Sequence, residues 1–224
     1  MAIDTALDVD LAELQAISEE LEIMPASTSI KWAVDRFPGQ VALACSFQDC
    51  VIVDIATQHD PQIEVIFLDT GFHFQETLDY VETVRSRYNL NLTVTHPGPE
   101  AEGISCGDGG CCDVRKVAPM NRALRGKSAW LTGLKRVDAV TRAKAPILGW
   151  DVARQMVKVN PLANWTDEDV FHYIADHKLP KHPLMDRGYL SIGCAPTTRP
   201  VAPGEDPRAG RWADSSKTEC GLHV

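Results

Sequence analysis

The sequence predicts an α/β protein in which strands and helices alternate and the strands run parallel. The first indication is VALAC at residues 41–45, short and wholly apolar as in a buried parallel strand. A polar loop and the helical stretch VIVDIATQH follow it. The second is IEVIFLD at residues 63–69, which repeats the order of strand, break and helix, with the break at Thr70 and Gly71. Two successive strand–loop–helix units are typical of a parallel sheet covered by helices.

The remaining elements follow in order along the chain. Leucine and isoleucine recur at helical spacing over residues 11–21, and SIKWAVDRF comes after Pro25, so two helices come first. Four further strands are predicted in LNLTVTH, SAWLTGL, PILGW and MVKVN. TDEDVFHYIADHK is predicted to be the last helix, because Thr166 and Asp169 have the spacing of a capping box.

The end of the chain differs in composition from the rest. From Gly193 onward proline, glycine and charged residues dominate, which predicts a mobile tail. The expected division is therefore a domain of residues 1–192, which includes the N-terminal helices, and a C-terminal tail of residues 193–224.

Composition and charge exclude several classes of protein. With 224 residues, 44% of them hydrophobic, the chain is long enough for one buried core and a tail. The start MAIDTALDVD is acidic and no run of about 18 apolar residues occurs, so a cytoplasmic protein without a membrane span is expected. A formal net charge of −9 disfavours nonspecific binding to nucleic acid. An anionic ligand therefore requires arginines and lysines placed for it.

The chain has seven cysteines, an odd number that fits a disulfide framework poorly. Cys45 and Cys50 border apolar runs and are expected to be small core residues. Five others lie in glycine-rich or polar surroundings, where metal or redox chemistry explains them better. These five are Cys106, Cys111, Cys112, Cys194 and Cys220.

Polar loops follow the two clearest strands. SFQD, residues 46–49, comes directly after VALAC, and LDTG comes at the end of the second strand. In open parallel sheets ligands gather at the carboxyl ends of the strands, where helix N-termini present free N–H groups to anions. Ser46 and Asp49 also fit a purely structural role as helix caps.

Basic residues follow a third strand and recur in the tail. GLKRVDAVTRA, residues 133–143, comes directly after SAWLTGL. The basic residues concerned are Lys135, Arg136, Arg142, Arg199, Arg208 and Arg211. Such a group at the strand ends of an acidic protein predicts a pocket for phosphate or sulfate. For Lys135, a solvated position on the surface stays an alternative.

Seven segments together resemble the assimilatory sulfonucleotide reductases. They are SFQDCVIVDI, LDTGFHFQET, CCDVRK, the GLKR…TRA segment, KVNPLANWTDEDV, DRGYLSIGC and the terminal KTECGLH, and they span the chain from about residue 30. The terminal ECGLH is highly specific to that family. The resemblance implies an adenine nucleotide alpha hydrolase-like fold, a doubly wound and mostly parallel sheet, which agrees with the elements predicted above.

The resemblance also implies a reaction. In the family the tail cysteine attacks the sulfur of the sulfonucleotide, expels AMP and becomes S-sulfonated, and thioredoxin then releases sulfite. Cys220 matches this nucleophile, and a tail that closes and opens matches the two steps. The implied substrate-binding residues are Ser46, Phe47, Leu68, Gly133, Lys116, Arg142, Arg208 and Arg211. His223 is a candidate for docking the tail or for a solvated position.

The resemblance predicts a metal site with one altered ligand. The pair Cys111 and Cys112 is similar to the branch that reduces adenosine 5′-phosphosulfate and carries a [4Fe-4S] cluster on Cys-Cys and a downstream Cys-x-x-Cys. Here the downstream half reads Cys194-Ala-Pro-Thr197, and threonine is a poor iron ligand. A cluster on Cys111, Cys112 and Cys194 with an open iron, a cluster with Cys106 as fourth ligand, and a lost cluster all stay open. A retained cluster is favoured, and zinc is a weaker alternative.

Other functions stay open at this point. One is the clusterless branch of the family, which reduces 3′-phosphoadenosine 5′-phosphosulfate, because Thr197-Thr198-Arg199 resembles it. A second is an ATP pyrophosphatase-type sulfur transferase, although SFQD lacks the glycines of a pyrophosphate loop. A third is a non-catalytic iron–sulfur redox sensor, against which the intact ECGLH counts. The preferred prediction is thioredoxin-dependent reduction of adenosine 5′-phosphosulfate to sulfite and AMP, in sulfate assimilation and cysteine biosynthesis, and the oligomeric state, including a homo-oligomer, stays open.

Overall fold

A six-stranded sheet forms the centre of the protein in a computed structural model that describes residues 9–213, 217 and 219–222. The strands are β1 Val41–Ala44, β2 Glu64–Leu68, β3 Asn91–Thr95, β4 Ala129–Thr132, β5 Leu148–Asp151 and β6 Met156–Val159. Their order is β3-β2-β1-β4-β6-β5, and each neighbouring pair is parallel except β5 with β6. The six predicted strands and the mostly parallel, doubly wound sheet are confirmed.

Helices cover both faces of this sheet. They are α1 Leu11–Leu21, α2 Ala26–Arg36, α3 Val51–His59, α4 Gln75–Tyr88, α5 Ala118–Ala123 and α6 Asp167–Asp176. The predicted capping box is confirmed at α6, where Thr166 accepts from the N–H of Asp169 and Asp169 accepts from the N–H of Thr166. Among the helices of the described ranges, none has the length and apolar character that a bilayer-spanning segment requires.

The alternation of side chains along the strands divides the core into two parts. On one face Val41 and Leu43 of β1 pack in a large apolar cluster with residues of α1, α2, α3, α4 and α6. On the other face Ile66 and Trp130 pack in a smaller cluster with α5, and Leu222 of the tail lies against it. The last described residues of the tail therefore rest on the second face of the sheet.

The order of strands reverses between β1 and β4. After β1 the chain adds β2 and β3 on one side, and it adds β4, β6 and β5 on the other. The loops that leave the carboxyl ends of β1 and β4 therefore diverge and form a crevice, the usual ligand site of such sheets. Ser46 lies in the first of these loops and Gly133 in the second.

The segment after Gly193 packs against the body of the protein as far as the structure describes it. The N–H of Ala195 donates to the carbonyl of Phe72 at 2.7 Å, and Thr198 and Arg211 form an antiparallel bridge. The mobility of the tail and the boundary between residues 192 and 193 stay predictions. His223 lies outside the described residues.

Candidate active site

One cavity of about 230 Å³ lies at the crevice between the loops that follow β1 and β4. The predicted substrate-binding and catalytic residues that line it are Ser46, Leu68, Lys116, Gly133, Arg142, Arg208, Arg211 and Cys220. The fold brings them together from segments spread over most of the chain. Five basic and five acidic side chains line the cavity together with apolar ones. An apolar wall next to Arg142, Arg208 and Arg211 suits a ligand that joins a flat ring to an anion.

Phe47 is the one predicted binding residue whose side chain does not enter the cavity. Its ring is fully buried and packs edge-on against Phe67, with the ring centroids 5.5 Å apart. The backbone at Phe47 has a left-handed φ of 55°, which costs a non-glycine residue about 1–2 kcal/mol. Because the ring is turned into the core, any contact of Phe47 with a ligand is limited to its backbone.

The rest of the loop after β1 connects helix α3 with the start of the tail. Asp49 caps α3, since its Oδ1 accepts from the N–H of Val51 at 3.0 Å, and it also lines the cavity. Burial raises the pKa of Asp49, and the hydrogen bond from Val51 opposes that shift. Gln48 accepts from the N–H of Ile192 at 3.0 Å and donates to the carbonyl of Leu190 at 3.3 Å. The capping role expected for Asp49 is thus present, together with a position at the cavity.

Arg142 is bound to the tail residue that precedes Cys220. Its Nε and Nη2 donate to the two carboxylate oxygens of Glu219, each at 2.7 Å, and its Nη1 donates to Asp138 at 3.1 Å. Burial opposes the charge of Arg142, but the hydrogen bonds and charge of Glu219 outweigh it and raise the pKa. Arg208 lies 3.9 Å from Glu219. The tail is therefore held by the same cations that were predicted to bind the ligand.

Arg211 is half-buried in the wall of the cavity, next to Arg208. Its Nη1 donates to Ser191 at 3.3 Å and to the carbonyl of Ile192 at 3.1 Å. Burial lowers the pKa of Arg211, and the neighbouring charge of Arg208 adds to this. Its buried Nε has no partner among the described residues. A Cβ at Gly193 would lie 2.2 Å from Nη2, so only glycine lets the guanidinium occupy this position.

Cys220 is half-buried in the wall of the cavity. It is close enough to Arg142, Arg211 and Lys217 that a charge at its sulfur raises the pKa of each of these groups. The next residue, Gly221, has φ +82°, a conformation that favours glycine and lets the chain turn so that Leu222 reaches the second apolar cluster. The tail thus presents a thiol to a cavity that three arginines line, an arrangement suited to nucleophilic attack.

A second, smaller cavity adjoins the first, and Lys116, Arg211 and Trp212 line both. Its wall contains four cysteines and the threonine at the altered ligand position. These residues are Cys106, Cys111, Cys112, Cys194 and Thr197. Each of the seven cysteines of the chain is a free thiol. Lys217 of the tail donates to Cys112 Sγ at 3.1 Å, so the tail contacts this cavity as well.

The second cavity offers the number of thiols that a cluster takes. Within the described residues, no three histidine, cysteine or acidic side chains are close enough together to hold one metal ion. A [4Fe-4S] cluster instead takes four thiolates around a larger iron–sulfur body. Four free thiols lining one cavity provide that donor set. Burial raises the pKa of Cys106 to about 11, and the neighbouring Cys194 adds to the shift.

At the cavity the structure decides between the two alternatives for Lys135 and adds two residues that the sequence analysis did not assign to the site. Lys135 is buried and pairs with Asp138 at 3.4 Å and with Asp167, so the surface alternative for Lys135 is wrong. Glu219 carries the contact to Arg142 described above. The Nε2–H of His73 donates to the carbonyl of Leu68 at 2.9 Å, and its buried Nδ1 has no partner among the described residues. Glu219 flanks the predicted nucleophile and could have been found from that signal.

Two of the basic residues in the predicted cluster lie elsewhere. Arg136 donates to Glu22 at 2.8 Å and to the carbonyl of Ala145 at 2.8 Å, which ties the N-terminal helices to the loop after β4. Arg199 pairs with Glu205 at 2.7 Å. Both arginines therefore have structural partners outside the cavity wall.

The fold and the cavity define an adenine nucleotide alpha hydrolase-like protein, with its site at the reversal of a doubly wound sheet. FMN adenylyltransferase from Candida glabrata shares this fold, with a TM-score of 0.60 and 15% identity over 85% of this chain and 74% of the other. A phosphoadenylyl-sulfate reductase from Candida auris, solved as a phosphate complex, has a TM-score of 0.73 and 26% identity over 87% and 100%.

Sequence comparison gives the particular family. The model of the phosphoadenosine phosphosulfate reductase domain matches residues 40–200, and the chain belongs to this family. The adenosine 5′-phosphosulfate reductase of Mycolicibacterium smegmatis is 44% identical over 99% of this chain and 98% of its own length. The enzyme of that name from Mycobacterium tuberculosis is 49% identical over 81% and 75%. The predicted family is confirmed.

Proposed function

We propose that this protein reduces adenosine 5′-phosphosulfate to sulfite and AMP in sulfate assimilation toward cysteine, with electrons from thioredoxin or a similar dithiol protein. The names of its relatives support this substrate. The observation that carries the proposal is that Cys220, a thiol near the chain end, shares one cavity with Arg142, Arg208 and Arg211. The cytoplasm, which keeps thiols reduced, suits a protein with seven free cysteines.

In this proposal the adenosine and the phosphosulfate of the substrate bind at different ends of the cavity. The adenosine lies in the crevice between the loops after β1 and β4, against Ser46, Leu68 and Gly133. The phosphosulfate reaches the arginines at the other end. A guanidinium can donate two parallel N–H bonds to an oxyanion, and burial of Arg142 strengthens such bonds.

Cys220 then acts as the nucleophile. Its thiolate attacks the sulfate sulfur, a bond forms between Sγ and that sulfur, and the bond from the sulfur to the bridging oxygen breaks. AMP leaves with the electron pair of the broken bond, and the arginines stabilise the charge that develops on its phosphate. The product on the enzyme is S-sulfocysteine at Cys220.

Release of sulfite needs a second protein. A thiol of the donor attacks Cys220 Sγ, and sulfite leaves with the electron pair of the sulfur–sulfur bond. The second donor thiol then attacks the mixed disulfide, which frees Cys220 and leaves the donor as a disulfide. The sulfate sulfur gains two electrons and the dithiol loses two. Because Cys220 is half-buried, the tail has to swing out before the donor can reach it.

A [4Fe-4S] cluster belongs to the proposal. Cys111, Cys112 and Cys194 would hold it in the second cavity. When bound, the cluster supplies an electrostatic environment for the sulfate end of the substrate. Lys116 lines both cavities, and its ammonium group can therefore bind a sulfate oxygen while it faces the thiolates.

The proposal is tested by weighing the protein after incubation with adenosine 5′-phosphosulfate and no reductant. A mass increase of one sulfonate group is expected, located at Cys220 by peptide mapping and released as sulfite by a dithiol. The Cys220→Ser variant should bind AMP but form no adduct, because a hydroxyl is a far weaker nucleophile at neutral pH. Substantial sulfite production by that variant would contradict the mechanism.

A second candidate substrate is 3′-phosphoadenosine 5′-phosphosulfate, used without a cluster. The segment Thr197-Thr198-Arg199 and the similarity to the reductase from Candida auris favour it. Comparison of kcat/KM for the two sulfonucleotides separates the candidates, and a preference for the substrate without the 3′-phosphate is expected. Adduct formation also distinguishes reduction from a pyrophosphatase, which would release pyrophosphate from ATP, and from a sensor without catalysis.

A further inference from the structure

Cys106 lies where the altered metal site needs a thiol. Its Sγ is 3.7 Å from Thr197 Oγ1, the hydroxyl at the position where the family pattern has its last cysteine. Both residues line the second cavity with Cys111, Cys112 and Cys194. The sulfur of Cys106 is therefore close to the place that a cysteine at position 197 would occupy.

The loop that carries Cys106 is folded to direct this side chain inward. Cys106 is half-buried, whereas its neighbours Ser105 and Gly107 are exposed. The N–H of Ser105 donates to Asp108 Oδ2 at 2.9 Å, and the N–H of Asp108 donates to the carbonyl of Ser105 at 3.2 Å, which closes a tight turn. Gly107 has φ +99°, and a Cβ there would touch the Thr197 methyl group at 3.5 Å. The turn thus packs directly on Thr197.

Arg115 fixes this loop to the end of the sheet. Its Nη2 donates to the carbonyls of Ala101 and Ile104 at 3.0 and 2.9 Å, and its Nη1 donates to the carbonyl of Thr70 at 3.1 Å. The hydroxyl of Thr70 in turn lies 3.5 Å from Cys194 Sγ. One arginine therefore holds the segment before Cys106 next to the loop that contacts Cys194.

We propose that Cys106 supplies the fourth thiolate of the iron–sulfur site, in place of the residue at position 197. This inference rests on the cluster named in the proposed function. A thiolate binds iron far better than a threonine hydroxyl, and each cysteine loses its proton on ligation. Because Cys106 Sγ lies next to Thr197 and the turn at Gly107 packs on the Thr197 methyl group, the fourth ligand would come from a side chain of this chain.

Iron retention in four proteins purified without oxygen tests the inference. They are the wild type, Cys106→Ala, Cys106→Ala with Thr197→Cys, and Cys220→Ser as a control that removes a thiol from the neighbouring cavity only. The wild type and the control should each hold about four irons per chain. Cys106→Ala should hold less iron and lose its visible absorbance in air about tenfold faster. Thr197→Cys in the same chain should restore both, which also shows that the variant folds.

Three outcomes would overturn the inference. One is full iron content with wild-type stability in Cys106→Ala, which would mean an open iron. Another is failure of Thr197→Cys to restore iron in a Cys106→Ala protein whose circular dichroism is that of the wild type. The third is a wild type without iron. Adduct formation on Cys220, measured on the same wild-type sample, reports separately on the proposed function.

Discussion

Arg142 and Glu219 form a forked ion pair in which both carboxylate oxygens accept a hydrogen bond of 2.7 Å from one guanidinium. Each side chain is only 10% exposed. Glu219 directly precedes Cys220 in the chain, so this ion pair also holds the backbone next to the proposed nucleophile in place. The guanidinium of Arg142 is also the proposed partner of the phosphosulfate. The Glu219 carboxylate therefore occupies a position in which an anionic group of the ligand can replace it.

Replacing Glu219 by Gln should slow the attack by Cys220 without weakening nucleotide binding. The amide cannot accept the two charge-assisted bonds, so the tail is held less firmly while Arg142 becomes more available to an anion. We expect adduct formation to be slower by about tenfold, measured by quenched-flow mass analysis, with AMP affinity equal or higher. Glu205→Gln is the matched control, because Glu205 forms a similar fork with the exposed Arg199. Equal rates for the two variants would mean that the pair does not position Cys220.

Replacing Arg211 by Lys should weaken binding of the sulfonucleotide. Lysine keeps the charge but has no Nε–H, and the buried Nε of Arg211 is a donor without a partner among the described residues. We expect the Kd of adenosine 5′-phosphosulfate for Cys220→Ser protein, used to prevent turnover, to rise by about tenfold. Arg199→Lys should leave that Kd unchanged. If Arg211→Lys also binds normally by calorimetry, Arg211 contributes only to packing.

Truncating Leu222 to Ala should change the two half-reactions in opposite directions. Leu222 lies against the apolar cluster of Ile66 and Trp130, and loss of part of this contact removes about 1 kcal/mol from the closed tail. Adduct formation should become slower and dithiol-dependent sulfite release faster, each by about fivefold. Single-turnover assays of each step measure this. Val140→Ala, a change at an exposed residue near Arg142, should alter neither rate. Slowing of both steps in Leu222→Ala would contradict the idea that Leu222 holds the tail closed.

His182 should make the folded state less stable in acid. It is fully buried, and burial lowers its pKa to about 4, while the unfolded chain keeps a value near 6.5. Below about pH 6.5 His182 is protonated in the unfolded chain but stays neutral in the folded protein. Stability therefore falls as the pH drops toward about 4 and then levels off. The loss attributable to His182 is on the order of 3 kcal/mol.

This pH dependence is measured by urea unfolding at several pH values. His182→Gln should give a flatter dependence between about pH 4 and 6.5, whatever its stability at neutral pH. The comparison of slopes separates His182 from the carboxylates that titrate in the same range. Identical slopes for the two proteins would show that His182 is protonated equally in both states.

The regular part of the fold was predictable because each element carries its own signal. The buried strands are short apolar runs, and the helices show a repeating apolar face or a capping box. The segment over residues 113–123 lacked such a signal: it forms a π-helical turn, Asp113–Val117, that leads into α5. Its sequence DVRKVAPM is polar at the start and has a proline in the helix, so periodicity does not mark it.

The parts of the site that were not predicted depend on contacts between distant residues. The sequence left Lys135 between the pocket and the surface, and only the folded protein shows it buried beside Asp167, at the start of α6. The Phe47 ring points into the core because the backbone at Phe47 is left-handed, and no residue type in SFQD predicts that conformation. The approach of Cys106 to Thr197 spans 91 residues and requires the folded loop. Motifs identify which residues are present, and packing decides which of them meet.

Lys116 and Arg211 stand in the partition between the two cavities, so an occupant on either side acts on the same two cations. With iron bound, both occupants are anions. Their binding free energies are then linked, and the linkage is reciprocal. Reduction of the iron site would weaken nucleotide binding by some factor, and nucleotide binding would disfavour reduction by the same factor. The reduction potential of the iron site should therefore fall when the sulfonucleotide binds. A measured potential would then report whether the neighbouring cavity is occupied.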